Sequence, residues 1–187
     1  MTKSMRQQIL LGGVGGQGVL FVTSLLAEAA IRKGLPALTS ETHGMAQRGG
    51  TVMSHIKVGG FTSPMIRPGQ ADCLLALMPE TVAQQGYFLK SDGWIAVSGP
   101  GPVRDPDGRA VFTIDAVRLA AEVASPKSMN LILLGFALGR SVRTGRGLRH
   151  LFCSLDDLQS ILAERLAGRE RMLATSLRAL EAGYGAE

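Results

Sequence analysis

The sequence predicts an α/β fold: a three-layer α/β/α sandwich around a mostly parallel, mixed Rossmann-like sheet, with a helical C-terminal third. Three observations carry this. A short apolar run, Gln8 to Leu11, passes straight into GGVGGQG and then into a helical pattern, the strand–glycine turn–helix order that opens a βαβ unit. ADCLLALM and GWIAVSG are continuously apolar, as strands covered on both faces are. Beyond AVFTID the chain shows helical periodicity and no strand pattern.

Each element follows in order. Val22, Leu25, Leu26 and Ala29 fall at i, i+3, i+4 and i+7 and give the first helix one apolar face. Gly34 and Pro36 end it, as a glycine after the last turn and a following proline do. ALTSET is a short second strand completing the βαβ unit. TVMSHIKVGG alternates, with Val52, Ser54, Ile56 and Val58 on one face, and reads as a half-buried strand. FTSPMIRPGQ, with two prolines and a Pro-Gly signal, is a connection. After ADCLLALM a short helix is expected from Thr81 to Leu89, and after GWIAVSG the stretch GPGPVRDPDGR reads as an exposed excursion.

The C-terminal third divides into three helical stretches. AVRLAAEVA is amphipathic. SPKSMNLILLGFALG opens with Ser125 as N-cap and Pro126 at the first helical position, and its all-round apolar character predicts a buried helix. Ser154 opens the final helix, with Asp157 in the capping-box position. Leu158, Leu162 and Leu166 form its stripe, and Leu173, Leu177 and Leu180 resume it after Gly168. Without a linker or repeat, residues 1–187 form one domain, with the helices from about 126 to 187 packed on it.

Composition narrows the function. The 24 glycines cluster in loops near the N-terminus, which suggests backbone placed close to a ligand or partner. A net charge of +5 suits nucleic acid, an acidic small molecule or an acidic partner. Aromatic residues at 5% and no base-stacking pattern argue against nucleic acid. Cys73 and Cys153 are far apart in apolar surroundings, and there is no CxxC pair, so buried thiols in a reducing cytosol are expected, with no metal or cluster on this chain. The basic, apolar N-terminus mimics a signal peptide but is broken by glycines and Gln17. Leu131–Leu138 falls short of the about 20 residues a membrane span needs. No membrane association and a cytoplasmic location are expected.

Two stretches look functional. Gly13, Gly15 and Gly18 satisfy GxGxxG between a strand and a helix, with Gly16 and Gln17 inside the motif. The turn can hold a dinucleotide phosphate, with Glu41 meeting a ribose, or it can serve only a tight bend or a partner's backbone. SETHGMAQRGG, Ser40 to Gly50, has neither helical nor strand period. There His43 and Arg48 can meet an anion, with Gly44, Gly49 and Gly50 allowing close backbone approach, or can be solvated loop charges. Glu41, His43 and His55 match no usual metal-ligand spacing. Ser54 and His55 are strand neighbours pointing to opposite faces, so they form no triad. Arg140, Arg143, Arg146 and Arg149 recur every three residues and read as the solvated end of a helix or as a grip on an acidic partner.

Taken in order, GVGGQG, SETHGMAQRGG, VMSHIKVG, SPMIRPGQAD and SPKSMNLILLG resemble the gamma-type subunit or domain of the 2-oxoacid:ferredoxin oxidoreductases over roughly Gln8 to Arg140. ETHGMAQRGG is nearest the beta subunit of the indolepyruvate branch. The resemblance implies a subunit of an enzyme that converts an aryl 2-oxoacid such as indolepyruvate to its acyl-CoA, reducing ferredoxin. It also implies that thiamine diphosphate and iron–sulfur clusters sit on a companion alpha subunit, with coenzyme A joining in the assembled enzyme. Catalysis by this chain alone is then not expected, and a homodimer is expected when it is isolated. Gly13, Gly15, Gly16, Gln17, Gly18, Glu41, His43, Gly44, Met45, Gln47, Arg48, Gly49 and Gly50 would face the partner where oxoacid or coenzyme A enters. Relatives are expected to carry an acid where this chain has Met78. The alternatives are a free-standing NAD(P)-binding oxidoreductase and a noncatalytic scaffold or regulatory protein.

Overall fold

The sheet is built around its first strand, β1 (Gln7–Val14), which is buried along almost its whole length. A computed structural model describes residues 5–44, 50–123, 125–143 and 149–187. Helix α1 (Val19–Arg32) follows β1 and leads to β2 (Ala37–His43) and β3 (Thr51–Val58). Then come β4 (Ala71–Ala76), α2 (Glu80–Gln85), β5 (Leu89–Ser98) and β6 (Ala110–Ile114). Helices α3 (Ala116–Glu122), α4 (Met129–Arg143), α5 (Leu155–Arg165) and α6 (Glu170–Gly185) complete the fold. None of the described helices is long and apolar enough to cross a membrane.

The sheet is mixed, in the order β2-β3-β1-β4-β5-β6. Strands β1, β4, β5 and β6 run parallel, whereas β3 pairs antiparallel with both β1 and β2. This corrects the simple βαβ unit expected at the N-terminus. Strand β2 is parallel to β1 in direction, but β3 is inserted between them. The insertion is invisible to periodicity, because each strand's pattern reports which face it buries and not which neighbour it takes.

The local signals are met closely. Gly34 adopts φ +70° after α1, and its N–H donates to Ile31 O at 2.9 Å while Leu35 N–H donates to Ala30 O at 2.9 Å. This is the paired C-terminal cap that a left-handed glycine permits. Ser154 and Asp157 close a reciprocal capping box on α5. The final helix is instead two, α5 and α6, separated around Gly168 at φ +78°. Ser125 does not cap α4 either. Its Oγ pairs with Ser128 Oγ at 2.6 Å, and Pro126 opens a single 3₁₀ turn, Pro126–Ser128, ahead of α4.

Two unequal layers cover the sheet. Ile9, Leu11, Val52, Ile56, Leu75, Trp94 and Ala96 face the large core, under α1, α3, α4, α5 and α6. Leu10, Leu74, Ile95 and Val97 face a thin second core closed by Ile66, Val82, Phe88 and Leu89. That second layer overturns the half-buried reading of Thr51–Val58. His55 is fully buried and Lys57 is 7% exposed, because the connection through Ile66 folds across their face. His55 Nδ1 accepts from Ile66 N–H at 3.3 Å, which puts the ring proton on Nε2, a buried atom that has no partner. Burial, then the charge of Lys57, holds this imidazole below its ordinary range.

The expected helix over Thr81–Leu89 is shorter, because a 3₁₀ turn at Gly86–Phe88 carries the chain into β5. Nor is GPGPVRDPDGR simply exposed. Its Asp105 is buried and its carboxylate grips the guanidinium of Arg109. The arginine series is likewise structural where it is described. Arg140 lies over the rings of Phe112 and Phe136, and Arg143 donates to the carbonyls of Tyr184 and Ala186. Arg149 Nη1 donates to the buried Asp72 Oδ1 at 2.7 Å and to Arg6 O at 3.1 Å. Arg146 lies outside the described residues.

Candidate functional site

The parallel strands end at one edge of the sheet, the usual ligand edge of an open α/β fold. Strand β1 delivers the glycine turn there. Gly13 is still in the strand, and a side chain on it would collide with Gln17 Oε1. Gly15 and Gly16 are exposed, Gly16 at φ +93° with open space where a Cβ would stand. Gln17 N–H donates to Val14 O at 3.2 Å, and its side-chain Oε1 accepts from Val14 N–H at 2.8 Å. The glutamine side chain therefore satisfies a backbone donor of its own turn. Gly18 takes φ +80° as the N-cap of α1.

Asn130 explains the last glycine. Its Nδ2 donates to Gly18 O at 3.3 Å, and a Cβ on Gly18 would run into that amide. The same side chain accepts from Leu131 N–H at 2.8 Å. Asn130 belongs to the SPKSMNLILLG motif, so the turn is buttressed from the far half of the chain. Nothing in the spacing of residues 13–18 indicates this.

Strand pairing brings the second motif to the first. Because β3 returns antiparallel beside β1, Val14 stands opposite Thr51, and His43 of β2 stands opposite Val52. Gly15 N–H donates to Gly50 O at 3.0 Å, and Gly44 N–H donates to Thr51 O at 2.8 Å. Gly50 is thus tied to the glycine turn, and Gly44 to Thr51, the register partner of Val14. Met45, Gln47, Arg48 and Gly49 lie outside the described residues. Glu41 is exposed on β2 and registers with Ser54, which registers with Leu11. Two strand spacings, about 10 Å, separate it from β1. In a dinucleotide fold the acidic strand is β1's immediate neighbour, so this geometry disfavours the ribose role.

Ser54 and His55 separate as expected. Ser54 Oγ accepts from Thr23 Oγ1 at 2.9 Å under α1, whereas His55 points into the thin layer. Among the described residues no three His, Cys, Asp or Glu side chains converge to hold a metal.

Sequence reasoning missed a cleft beside the turn. A cavity of about 500 Å³ is lined by Gln17, Leu77, Met78, Pro79, Ser98, Gly99, Pro100, Asp115, Val117, Arg118 and Met129. Its walls are the carboxyl ends of β4, β5 and β6, which no sequence-local pattern joins. Met78, placed where relatives are expected to carry an acid, is part of this mostly apolar wall.

Residues 8–186 match the family model described as pyruvate ferredoxin/flavodoxin oxidoreductase. The chain is 43% identical to indolepyruvate oxidoreductase subunit IorB of Methanothermobacter thermautotrophicus, over 97% of this chain and 98% of that protein. Its fold is similar to that of the keto/oxoacid ferredoxin oxidoreductase gamma subunit of Geobacter sulfurreducens. That match has a TM-score of 0.72 at 24% identity, over 95% and 96% of the two chains. It is also similar to part of 2-oxoglutarate:ferredoxin oxidoreductase from Magnetococcus marinus, solved with 2-oxoglutarate, coenzyme A and succinyl-CoA. There the TM-score is 0.76 at 23% identity, and the match spans 95% of this chain but 30% of that one.

Proposed function

This chain belongs to the pyruvate ferredoxin/flavodoxin oxidoreductase family, and on that premise we propose that it is a subunit of an indolepyruvate-type 2-oxoacid:ferredoxin oxidoreductase. In the assembled enzyme it supports CoA-dependent oxidative decarboxylation of an aryl 2-oxoacid, with electrons passing to ferredoxin. The groups that perform the chemistry belong to a companion subunit. An iron–sulfur cluster needs several thiolates, and this chain has two cysteines, both buried. Burial pushes the Cys153 thiol up to about 12 and that of Cys73 well above its ordinary value. Two buried, protonated thiols do not make a cluster ligand set, which supports placing the clusters on the companion subunit.

One observation carries the reading of the site: the Gly15–Gly50 hydrogen bond, which ties the glycine turn to the last residue of the second glycine-rich motif. Exposed glycine backbone there lets another chain approach closely. We assign this edge to the companion subunit, where it closes the site that oxoacid or coenzyme A enters, with Arg48 as the anion contact. The cytoplasmic location and self-association of the isolated chain belong to the same reading.

The test is co-expression with the companion thiamine- and cluster-bearing subunit, followed by CoA-dependent dye reduction with indolepyruvate, pyruvate and 2-oxoglutarate. Activity is expected only in the complex and strongest with indolepyruvate. Arg48→Ala in that complex is expected to lower turnover roughly tenfold or more, the weight of a lost charge-assisted contact. Full turnover by the variant removes the anion role, and activity in neither subunit nor complex removes the functional reading.

A further inference from the structure

At the opposite end of β1 from the glycine turn, three cations gather in a cleft of about 580 Å³. Arg6 lies just ahead of β1, and Gln8 and Lys57 are register partners across β1 and β3. Arg67 comes from the connection that covers this face. Among the described residues no carboxylate lines the cleft, and its remaining polar groups include the hydroxyls of Thr62 and Ser63.

The arrangement is built rather than incidental. Gly59 adopts φ +103°, and a Cβ there would run into Met5 O, so the turn after β3 is seated on the backbone ahead of β1. Gly59 N–H donates to Pro36 O at 2.8 Å, and Phe61 N–H donates to Gly59 O at 2.8 Å. That sets the Phe61 ring against two cations, with the Arg6 guanidinium carbon 4.2 Å and Lys57 Nζ 5.2 Å from its centroid.

Lys57 is the telling residue. It is 7% exposed, and among the described residues no carboxylate pairs with it. Like charges held close together repel one another, and each makes its neighbours harder to protonate. Burial, followed by the charges of Arg67 and Arg6, pulls it below the ordinary lysine range. An anion entering the concave polar space among Lys57, Arg6 and Arg67 would relieve that repulsion.

We propose that this cleft binds a small multivalent anion, a phosphate- or carboxylate-bearing molecule held by Lys57, Arg6 and Arg67. Its concavity suits a compact ligand, and Lys57, which lines it, supplies a charge-assisted donor. The proposal does not depend on the oxidoreductase reading, because it concerns the other end of the strand.

The experiment is titration of the full chain at low ionic strength with inorganic pyrophosphate and, separately, with citrate, followed by amide NMR shifts. Saturable shifts confined to residues 57–67 and the start of β1 are expected for at least one anion, weakening as salt is added. Lys57→Gln and Arg67→Gln are each expected to weaken binding roughly tenfold or more. Lys127→Gln, remote from this cleft, is expected to leave it unchanged. Response to pyrophosphate alone assigns the phosphate class, and response to citrate alone the carboxylate class. No saturable response to either overturns the proposal, as does a diffuse response that both cleft variants leave intact. The first of those results is also the one expected if an acidic segment of another protein covers the cleft instead.

Discussion

Replacing Gly135 or Gly183 with alanine is expected to lower the folding stability of this chain by about 3 kcal/mol or more, the upper range of overpacking costs. Helices α4 and α6 cross with their backbones in near contact. A Cβ on Gly135 would stand far inside contact with Leu180 O, and one on Gly183 far inside contact with Ile132 O. The obstacles are main-chain carbonyls of regular helices, which cannot rotate away as a side-chain tip can. Helix α4 is buried from Asn130 to Gly139, so the displaced helix would disturb the large core throughout. For a domain of this size, about 3 kcal/mol corresponds to a fall of roughly 10 °C in Tm. Gly185→Ala is the control, because nothing lies within 4 Å of its Cβ position. Thermal and urea unfolding of the three variants decides the matter: melting of Gly135→Ala within a degree or two of the parent would refute the close crossing.

The second large effect is expected at Asp105. Arg109, whose side chain is 5% exposed, donates through Nε to Asp105 Oδ2 at 2.7 Å and through Nη2 to Oδ1 at 2.8 Å. Its Nη1 donates to Gly86 O at 2.7 Å and Leu89 O at 3.3 Å. The pair therefore ties the segment before β6 to the junction of α2 with β5. Asp105→Ala leaves the guanidinium buried with Asp107, two carbonyls and no fully buried counter-charge, at an expected loss of about 3 kcal/mol. The double variant Asp105→Ala with Arg109→Met is expected to lose less, since the stranded charge goes too. A double variant worse than Asp105→Ala would show that the guanidinium contributes more through its carbonyl contacts than through the pair.

The same carboxylate gives a pH dependence of known sign. Hydrogen bonding from Arg109 holds Asp105 below its ordinary value of 3.8. The folded state then binds fewer protons than the unfolded chain in that window. The contribution is fully present above the unfolded value and is lost as pH falls below it, through the folded value. Urea midpoints measured from pH 6 down to pH 2 should show a shallower acid limb in Asp105→Ala than in the parent. Parallel limbs would remove Asp105 as a source of the acid sensitivity.

Much of the fold was legible because its signals are local. The left-handed cap at Gly34, the Ser154–Asp157 capping box and the strand–turn–helix at residues 8–32 each depend on residues within a few positions of one another. The family resemblance was legible too, since it rests on motifs in order along the chain. For the site, the sequence singled out two stretches, Gly13–Gly18 and Glu41–Gly50, and the family resemblance grouped them on one face. It did not indicate that Gly15 and Gly50 bond to each other, that Gln17 occupies the turn, or that Asn130 supports it from 112 residues away.

The sequence by itself determined the order of most secondary elements, the α/β class and the family, because helix periodicity, caps and glycine turns are set by backbone sterics within a few residues. Tertiary structure alone decided that β3 inserts between β1 and β2. That pairing joins the two motifs at one edge, as Lys57 is buried at the other by the connection folding across it. It also decided which glycines are indispensable. Gly135 and Gly183 look like ordinary interruptions of helical pattern, and only the crossing of two helices places a carbonyl where a side chain would stand. Chain neighbours record local conformation, whereas strand order, burial of a polar residue and backbone approach depend on partners that the sequence does not index.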